Sequence, residues 1–168
     1  TVDGNLTATT YANNGSITLD QLAVDGTIAL NTHGTGNATV VNDAGLQFAR
    51  STVGGNLHAT ATTGNITQNS EALAITGTTT LITAASDAFI TLGTTSNAFT
   101  GALIITTNDN DSGGTDGDVT IHGGTTTLIL GDSTIDGDLA LTSTVGITDS
   151  GTLDIRGITT ISASGVDV

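Results

Sequence analysis

One stretch of this 168-residue chain concentrates the residue types that bind a hard cation. Residues 108–118 read Asn-Asp-Asn-Asp-Ser-Gly-Gly-Thr-Asp-Gly-Asp. Ca²⁺ takes about six to eight oxygen ligands, which closely spaced Asp and Asn side chains and the carbonyls of Gly turns can supply. The twelfth position counted from Asn108 is Val119 instead of a bidentate Glu, which excludes an EF-hand. The stretch predicts either an acidic surface insertion or a calcium site whose ligands are Asp109, Asp111, Asp116 and Asp118. Calcium is the one cofactor that the sequence suggests.

No constellation of catalytic residues accompanies this stretch. The two arginines, Arg50 and Arg156, lie at unmatched positions of the internal repeats, and the chain has no Lys and no Cys. The three histidines, His33, His58 and His122, have no Cys, His or Glu partner at a metal-ligand spacing. Enzymes that cleave polysaccharides combine carboxylates with other acid-base or charge-stabilising groups, and no such set recurs here. We therefore predict that the chain is not an enzyme and has no catalytic or cofactor-binding residues.

The charge of the chain is one-sided, with sixteen acidic residues, two arginines and a net charge of −14. Such a charge repels nucleic-acid phosphate and anionic membranes. No apolar run is long enough to span a membrane. We therefore predict no nucleic-acid partner and no membrane insertion in this segment. Because Asp is a favoured turn residue, we expect most aspartates in turns, and divalent cations could promote lateral self-association of the acidic surface.

The elements that must position these residues are repeats of one local design. Gly4 and Gly26 lie 22 residues apart, as do Gly55 and Gly77, which indicates the length of one coil. A longer match links residues 46–48 to residues 128–130, 82 positions on, so several coils form one long repeat. Such self-similarity is the signature of a solenoid, in which each unit buries its apolar face against its neighbours. Three blocks recur in an unchanged order: 1–6, 52–57 and 134–139; then 15–18, 64–67 and 146–148; then 22–30, 73–81 and 153–161.

Composition and pattern predict an all-β fold. Thr and Gly are abundant, Pro is absent, and apolar and polar residues alternate over short runs such as 80–83 and 118–121. A hairpin sandwich would not repeat its strands as copies, so we predict a parallel β-helix, or β-solenoid, of about 20–22 residues per coil with essentially no helix. We expect one segment, residues 1–168, of a longer repeat array, which divides into a partial repeat 1–36, a long repeat 37–116 and a partial repeat 117–168.

Nearly the whole chain resembles the repeats of giant filamentous-haemagglutinin-type bacterial adhesins. The resemblance rests on residues 51–57, 64–70, 73–81 and 97–102. It implies a right-handed parallel β-helix that forms the stalk of a very long secreted protein, often exported by a two-partner system. It also implies an extracellular location, on the bacterial cell surface or in the biofilm matrix.

From this resemblance we expect a structural stalk segment of an adhesin that mediates cell-cell, surface or matrix adhesion, with further copies of the same array as its neighbours in the intact protein. The alternative is a binding module whose outward face binds matrix polysaccharide, or binds ice through rows of Thr at 7–9, 60–62 and 78–80. Asn5, Asn56 and Asp138 are the best candidates for a polar ladder on such a face, or they are hydrogen-bonded turn residues.

Overall fold

The computed structural model describes residues 1–108 and 116–164, and these form strands and turns with no helix. The predicted all-β solenoid is confirmed, with about seven coils. The described residues accordingly include no helix that is long and apolar enough to cross a membrane. The strands are β1 (Leu6–Thr9), β2 (Ile17–Leu22), β3 (Thr27–Asn31), β4 (Ala38–Asn42), β5 (Leu46–Phe48), β6 (Ser51–Val53), β7 (Leu57–Ala61), β8 (Ile66–Gln68), β9 (Leu73–Ile75), β10 (Thr79–Thr83), β11 (Ile90–Leu92), β12 (Ala98–Phe99), β13 (Leu103–Thr106), β14 (Val119–His122), β15 (Leu128–Leu130), β16 (Ser133–Ile135), β17 (Leu139–Ser143), β18 (Ile147–Asp149), β19 (Leu153–Ile155) and β20 (Thr159–Ala163).

The strands form two parallel sheets between which the chain winds. Sheet 1 has eleven strands: β1, β3, β5, β6, β8, β9, β11, β12, β14, β17 and β20. Sheet 2 has nine strands: β2, β4, β7, β10, β13, β15, β16, β18 and β19. In-register partners lie about one coil apart, as in the pairs Leu57 with Thr79 and Val119 with Leu139. The spacing of these pairs, 22 and 20 residues, agrees with the coil length predicted from the glycines.

Most coils contain one continuous strand on one sheet and two short strands on the other. From β5 to β12 the short pairs lie on sheet 1, whereas from β14 onwards the single strands lie there. The exchange happens where one strand pairs with two: β3 with both β5 and β6, and β13 with both β15 and β16. We call these places the first phase shift (β3 to β6) and the second phase shift (β13 to β16). At each, the strand pattern moves by half a coil.

This half-coil offset places equivalent parts of the long repeat on opposite sheets. Each strand from β4 to β10 has its sequence equivalent among β14 to β20, and every equivalent pair is divided between the two sheets. One long repeat, β4 to β13, contains four single strands and three short pairs, or three and a half coils. Copies that match in sequence are therefore related in space by a half turn about the rod.

The core is a narrow column of inward-facing side chains. Strand β7 illustrates the alternation, since Leu57, Ala59 and Ala61 are buried and His58 and Thr60 are partly exposed. Small and branched residues fill most of the column, with Phe48 and Phe99 as its largest fully buried side chains. Each fully buried Leu or Ile contributes about 1.5–3 kcal/mol of transfer free energy, so the stack of coils stabilises a thin rod.

Candidate functional site

Asn and Asp side chains at the corners of the coils bind the backbone of the next coil. The N–H of Asn56 donates to Asn37 Oδ1 at 2.8 Å, and the N–H of Thr78 donates to Asn56 Oδ1 at 2.9 Å. In the same way Asp138 N–H donates to Asp118 Oδ1 at 2.8 Å. Many of the polar corner residues are thus structural, because each satisfies a backbone donor that would otherwise lack a partner.

The three residues expected to form a ladder do not stack on one another. Asn5 and Asp138 precede strands of sheet 1, whereas Asn56 precedes β7 of sheet 2. Each accepts a backbone N–H one coil on: Asn5 from Thr27 at 2.9 Å and Asp138 from Ile158 at 2.7 Å, as Asn56 does from Thr78. All three are therefore hydrogen-bonded turn residues, which was the alternative to a polar ladder. The half-coil offset separates them.

Glycine at two other corners, Gly77 and Gly101, is required by close backbone contact between coils. The N–H of Gly77 donates to the carbonyl of Gly55 at 2.9 Å. A Cβ on Gly77 would lie 2.7 Å from the Gly55 carbonyl carbon, and one on Gly101 would lie 2.5 Å from that of Gly77. Contacts this short are not tolerated, so glycine at these two corners reflects packing between coils and not a ligand site.

The predicted calcium ligands fall partly outside the described residues. Asp109 and Asp111 lie there, while Asp116 and Asp118 are described and exposed. Asp118 Oδ1 accepts a backbone N–H of the next coil, and its second carboxylate oxygen has no partner among the described residues. Among residues 1–108 and 116–164, no group of three or more His, Cys, Asp or Glu side chains could hold a metal ion. The calcium loop therefore stays a prediction.

Both arginines form ion pairs with an acid of a neighbouring coil. Arg156 donates to Asp136, whose side chain is only 6% exposed and whose N–H donates to Thr107 Oγ1 at 2.9 Å. Arg50 lies 3.9 Å from Glu71, and both side chains are exposed. The Arg50 N–H bond to the Glu71 carboxylate, helped by the Asn69 side chain and the Arg50 charge, lowers the pKa of Glu71. Both pairs connect coils.

Two concavities lie at the two phase shifts. The larger, of about 410 Å³, is a solvent-open groove beside the first phase shift, which we call the corner groove. Its lining residues are Val24, Asp25, Gly26, Ala44, Gly45, Leu46, Gln47, Gly64, Asn65 and Thr67. The smaller, of about 130 Å³, lies at the second phase shift and is lined by Thr107, Asn108, Thr134, Asp136 and Arg156.

The corner groove is not apparent from the sequence, because the repeats suggest a uniform stack of coils. One long repeat contains ten strands, and ten is not a multiple of the three strands that form one coil. The one strand left over after three complete coils indicates a phase shift, because it moves the strand pattern at every repeat boundary. Asp25, Gln47 and Thr67 looked like ordinary turn and strand residues, and only the stacking of their coils brings them together.

Comparison with known proteins identifies a repeat family and nothing more specific. A family model described as repeats of unknown function (DUF5649) matches residues 35–106 and 116–168, which is most of the chain. These two stretches begin close to the predicted starts of the second and third repeat units, at 37 and 117. No curated protein and no solved structure matches the chain.

Proposed function

We propose that this chain, which belongs to the DUF5649 repeat family, is a structural stalk segment of a secreted, filamentous bacterial adhesin. In this role the segment holds binding regions away from the cell, at the cell surface or in the biofilm matrix. It carries out no enzymatic reaction. Neighbouring copies of the same array continue the rod in the intact protein.

The observation that carries the proposal is the unbroken stack of parallel coils. Sheet 2 proceeds in chain order from β2 at one end to β18 and β19 at the other. Each coil adds about 4.8 Å, the spacing of neighbouring strands, so seven coils give a rod of roughly 30 Å. Length therefore grows in proportion to the number of repeats, which suits a protein that must hold distance.

The backbone at both arginines supports a role in a protease-exposed environment. The N–H of Arg50 donates to Glu71 Oε2 at 3.1 Å, and the N–H of Arg156 donates to the Ile135 carbonyl at 3.0 Å. Cleavage after an arginine requires its backbone to leave such bonds, and the chain offers trypsin only these two positions. A stacked rod with two such positions resists digestion by trypsin-like proteases.

Labelling of intact cells tests this function. Antibodies against residues 1–168 should label unpermeabilised cells of the source bacterium and their matrix, whereas an antibody against a cytoplasmic protein should not. Deleting one long repeat in frame should keep the protein at the surface and weaken cell-cell or surface adhesion. Labelling only after permeabilisation would contradict secretion, and unchanged adhesion after the deletion would contradict the stalk role.

A further inference from the structure

We propose that the corner groove binds a neutral oligosaccharide through Asp25, Gln47 and Asn65. This deepens the proposed function by giving the stalk a ligand of its own. The stalk role does not depend on it, since a rod without this site would still hold distance.

The groove exists because two unlike corners meet at the first phase shift. The corner at Gly26 packs against the preceding coil, since an added Cβ would contact Gly4 and Asn5. The corner at Gly45 packs against the following coil, where an added Cβ would contact Asn65 and Gly64. The space between these corners is the groove, and three of its ten lining residues are glycines: Gly26, Gly45 and Gly64. A flat ligand can therefore approach the backbone closely.

The polar side chains of the groove are available to a ligand. Asp25 and Gln47 are exposed, and within the described part of the chain their side chains make no hydrogen bond or ion pair. Asn65 Oδ1 accepts the N–H of Phe89 at 2.9 Å, and its amide nitrogen has no partner among the described residues. Thr67 makes only a long bond, 3.4 Å, to the Leu46 carbonyl.

These groups lie together on one surface. Thr27, Gln47 and Thr67 are consecutive partners on the outward face of sheet 1, and Asp25 and Asn65 occupy the adjacent corners. The arrangement presents one carboxylate, two amides and one hydroxyl along a groove that is open to solvent. Its volume of about 410 Å³ falls within the range of about 300–1,000 Å³ that is typical of ligand sites.

The chemistry of this lining favours hydroxyl groups. A carboxylate accepts hydrogen bonds from two hydroxyls, and each amide both donates and accepts. No cationic side chain lines the groove, and the chain carries a charge of −14, so an anionic glycan is disfavoured. Because three of the four polar groups are uncharged, a neutral sugar chain fits better than a cationic amino sugar.

The second phase shift provides an internal contrast. The sequence equivalent of Gln47 is Ile129, and the equivalent of Asn65 is Gly146. The half-coil shift occurs in both places, whereas side-chain amides at these two equivalent positions occur only at the first. The site therefore depends on its side chains and not on the shift alone, and we expect sugar binding at the first phase shift only.

The test uses the whole chain and defined glycans. Neutral hexasaccharides of β-1,4-glucose, β-1,3-glucose, α-1,4-glucose and β-1,4-mannose would be titrated into ¹⁵N-labelled protein, together with oligogalacturonate as an anionic probe and a chitosan oligomer as a cationic one. At least one neutral probe should shift the side-chain amide signals of Gln47 and Asn65. The double variant Asp25→Ala, Gln47→Ala should weaken that binding about tenfold or more.

A matched control is the double variant Thr148→Ala, Asp149→Ala, which removes the same charge from exposed positions far along the chain and should bind normally. The proposal is overturned if no neutral probe shifts the groove amides up to about 10 mM, or if the groove and control variants bind equally. Preferential binding of either charged probe would also overturn it. None of these results bears on surface labelling, so failure of the site is distinguishable from failure of the stalk.

Discussion

The two phase shifts solve the same topological problem with different chemistry. At the first, six residues, 32–37, connect β3 to β4, and the open corner groove beside the shift is lined by residues from 24–26, 44–47 and 64–67. At the second, the longer connection 107–118 links β13 to β14, and the smaller concavity contains the Asp136–Arg156 ion pair. The half-coil offset alone therefore does not determine which side chains line the space beside it. The residues at each boundary decide whether the concavity contains an ion pair or is lined by uncharged and acidic side chains.

The largest effects are expected in the core beside each shift. Phe48 on β5 and Phe99 on β12 are fully buried, and replacing either with Ala should cost about 3–5 kcal/mol of unfolding free energy, through lost transfer energy and a cavity. Urea titration followed by circular dichroism measures both. A loss under about 1 kcal/mol for one variant only would show that the core is discontinuous at that shift.

Buried amides at the two shifts give the next test. Asn42 accepts the Val24 N–H at 2.9 Å and donates to the carbonyls of Val24 and Gly45, whereas Asn97 accepts the Leu73 N–H and bonds Gln68. Replacement by Leu should cost about 2–3 kcal/mol in each case, because it leaves buried backbone groups unsatisfied. Thr39→Leu, at a partly exposed outward position, is the control. Equal midpoints for control and test variants would contradict the structural role.

The ion pairs allow a sharper comparison. Arg156→Ala should destabilise the chain by about 1–2 kcal/mol, since it leaves the buried Asp136 carboxylate without this charged partner. Arg50→Ala removes an exposed pair and should cost about 0.5 kcal/mol or less. Thermal unfolding of the two variants distinguishes them. If both cost the same, the pair at the second phase shift has no special role in closing it.

Calcium tests the longer connection of the second phase shift. If residues 108–118 bind Ca²⁺, a free concentration about tenfold above the dissociation constant should add about 1.4 kcal/mol to the unfolding free energy. The gain should vanish in the double variant Asp109→Ala, Asp111→Ala and persist in Asp25→Ala at the first shift. No calcium-dependent rise in melting temperature would leave an acidic surface insertion.

The smallest expected effect is a pH dependence at Glu71. Its pKa is lowered in the folded chain from the usual 4.5, mainly by the Arg50 N–H bond. A lowered pKa means that ionised Glu71 stabilises the fold above about pH 4.5, and that this stabilisation is lost as the pH falls through the folded pKa. Melting temperatures at pH 7 and pH 3 should therefore differ less for Glu71→Gln than for the unaltered chain. An identical difference would show that the carboxylate contributes nothing.

Much of the fold was predictable from local pattern. The glycine spacing of 22 residues agrees with the Leu57–Thr79 register, and the alternation in 118–121 agrees with the burial of Val119 and Ile121. In 80–83 the pattern was wrong at two positions, because Thr83 is buried and Ile82 is partly exposed. The corner groove was not predictable in the same way, because Asp25, Gln47 and Asn65 belong to three successive coils. Their proximity depends on which corner stacks on which, and no short window of sequence contains that information.

Local sequence specifies the parallel coils, their length, most of their inward residues and the glycine-containing corners, because each follows from alternation and turn chemistry within about twenty residues. The sheet that each strand joins depends on how the coils stack. The alternation of buried and exposed residues is the same on both sheets, so a strand carries no local mark of its sheet. Each strand pairs with a strand of the next coil, and because a long repeat has ten strands, each copy of the repeat is rotated by half a coil relative to the copy before it. That rotation separates Asn5 and Asp138 from Asn56 and creates the corner groove.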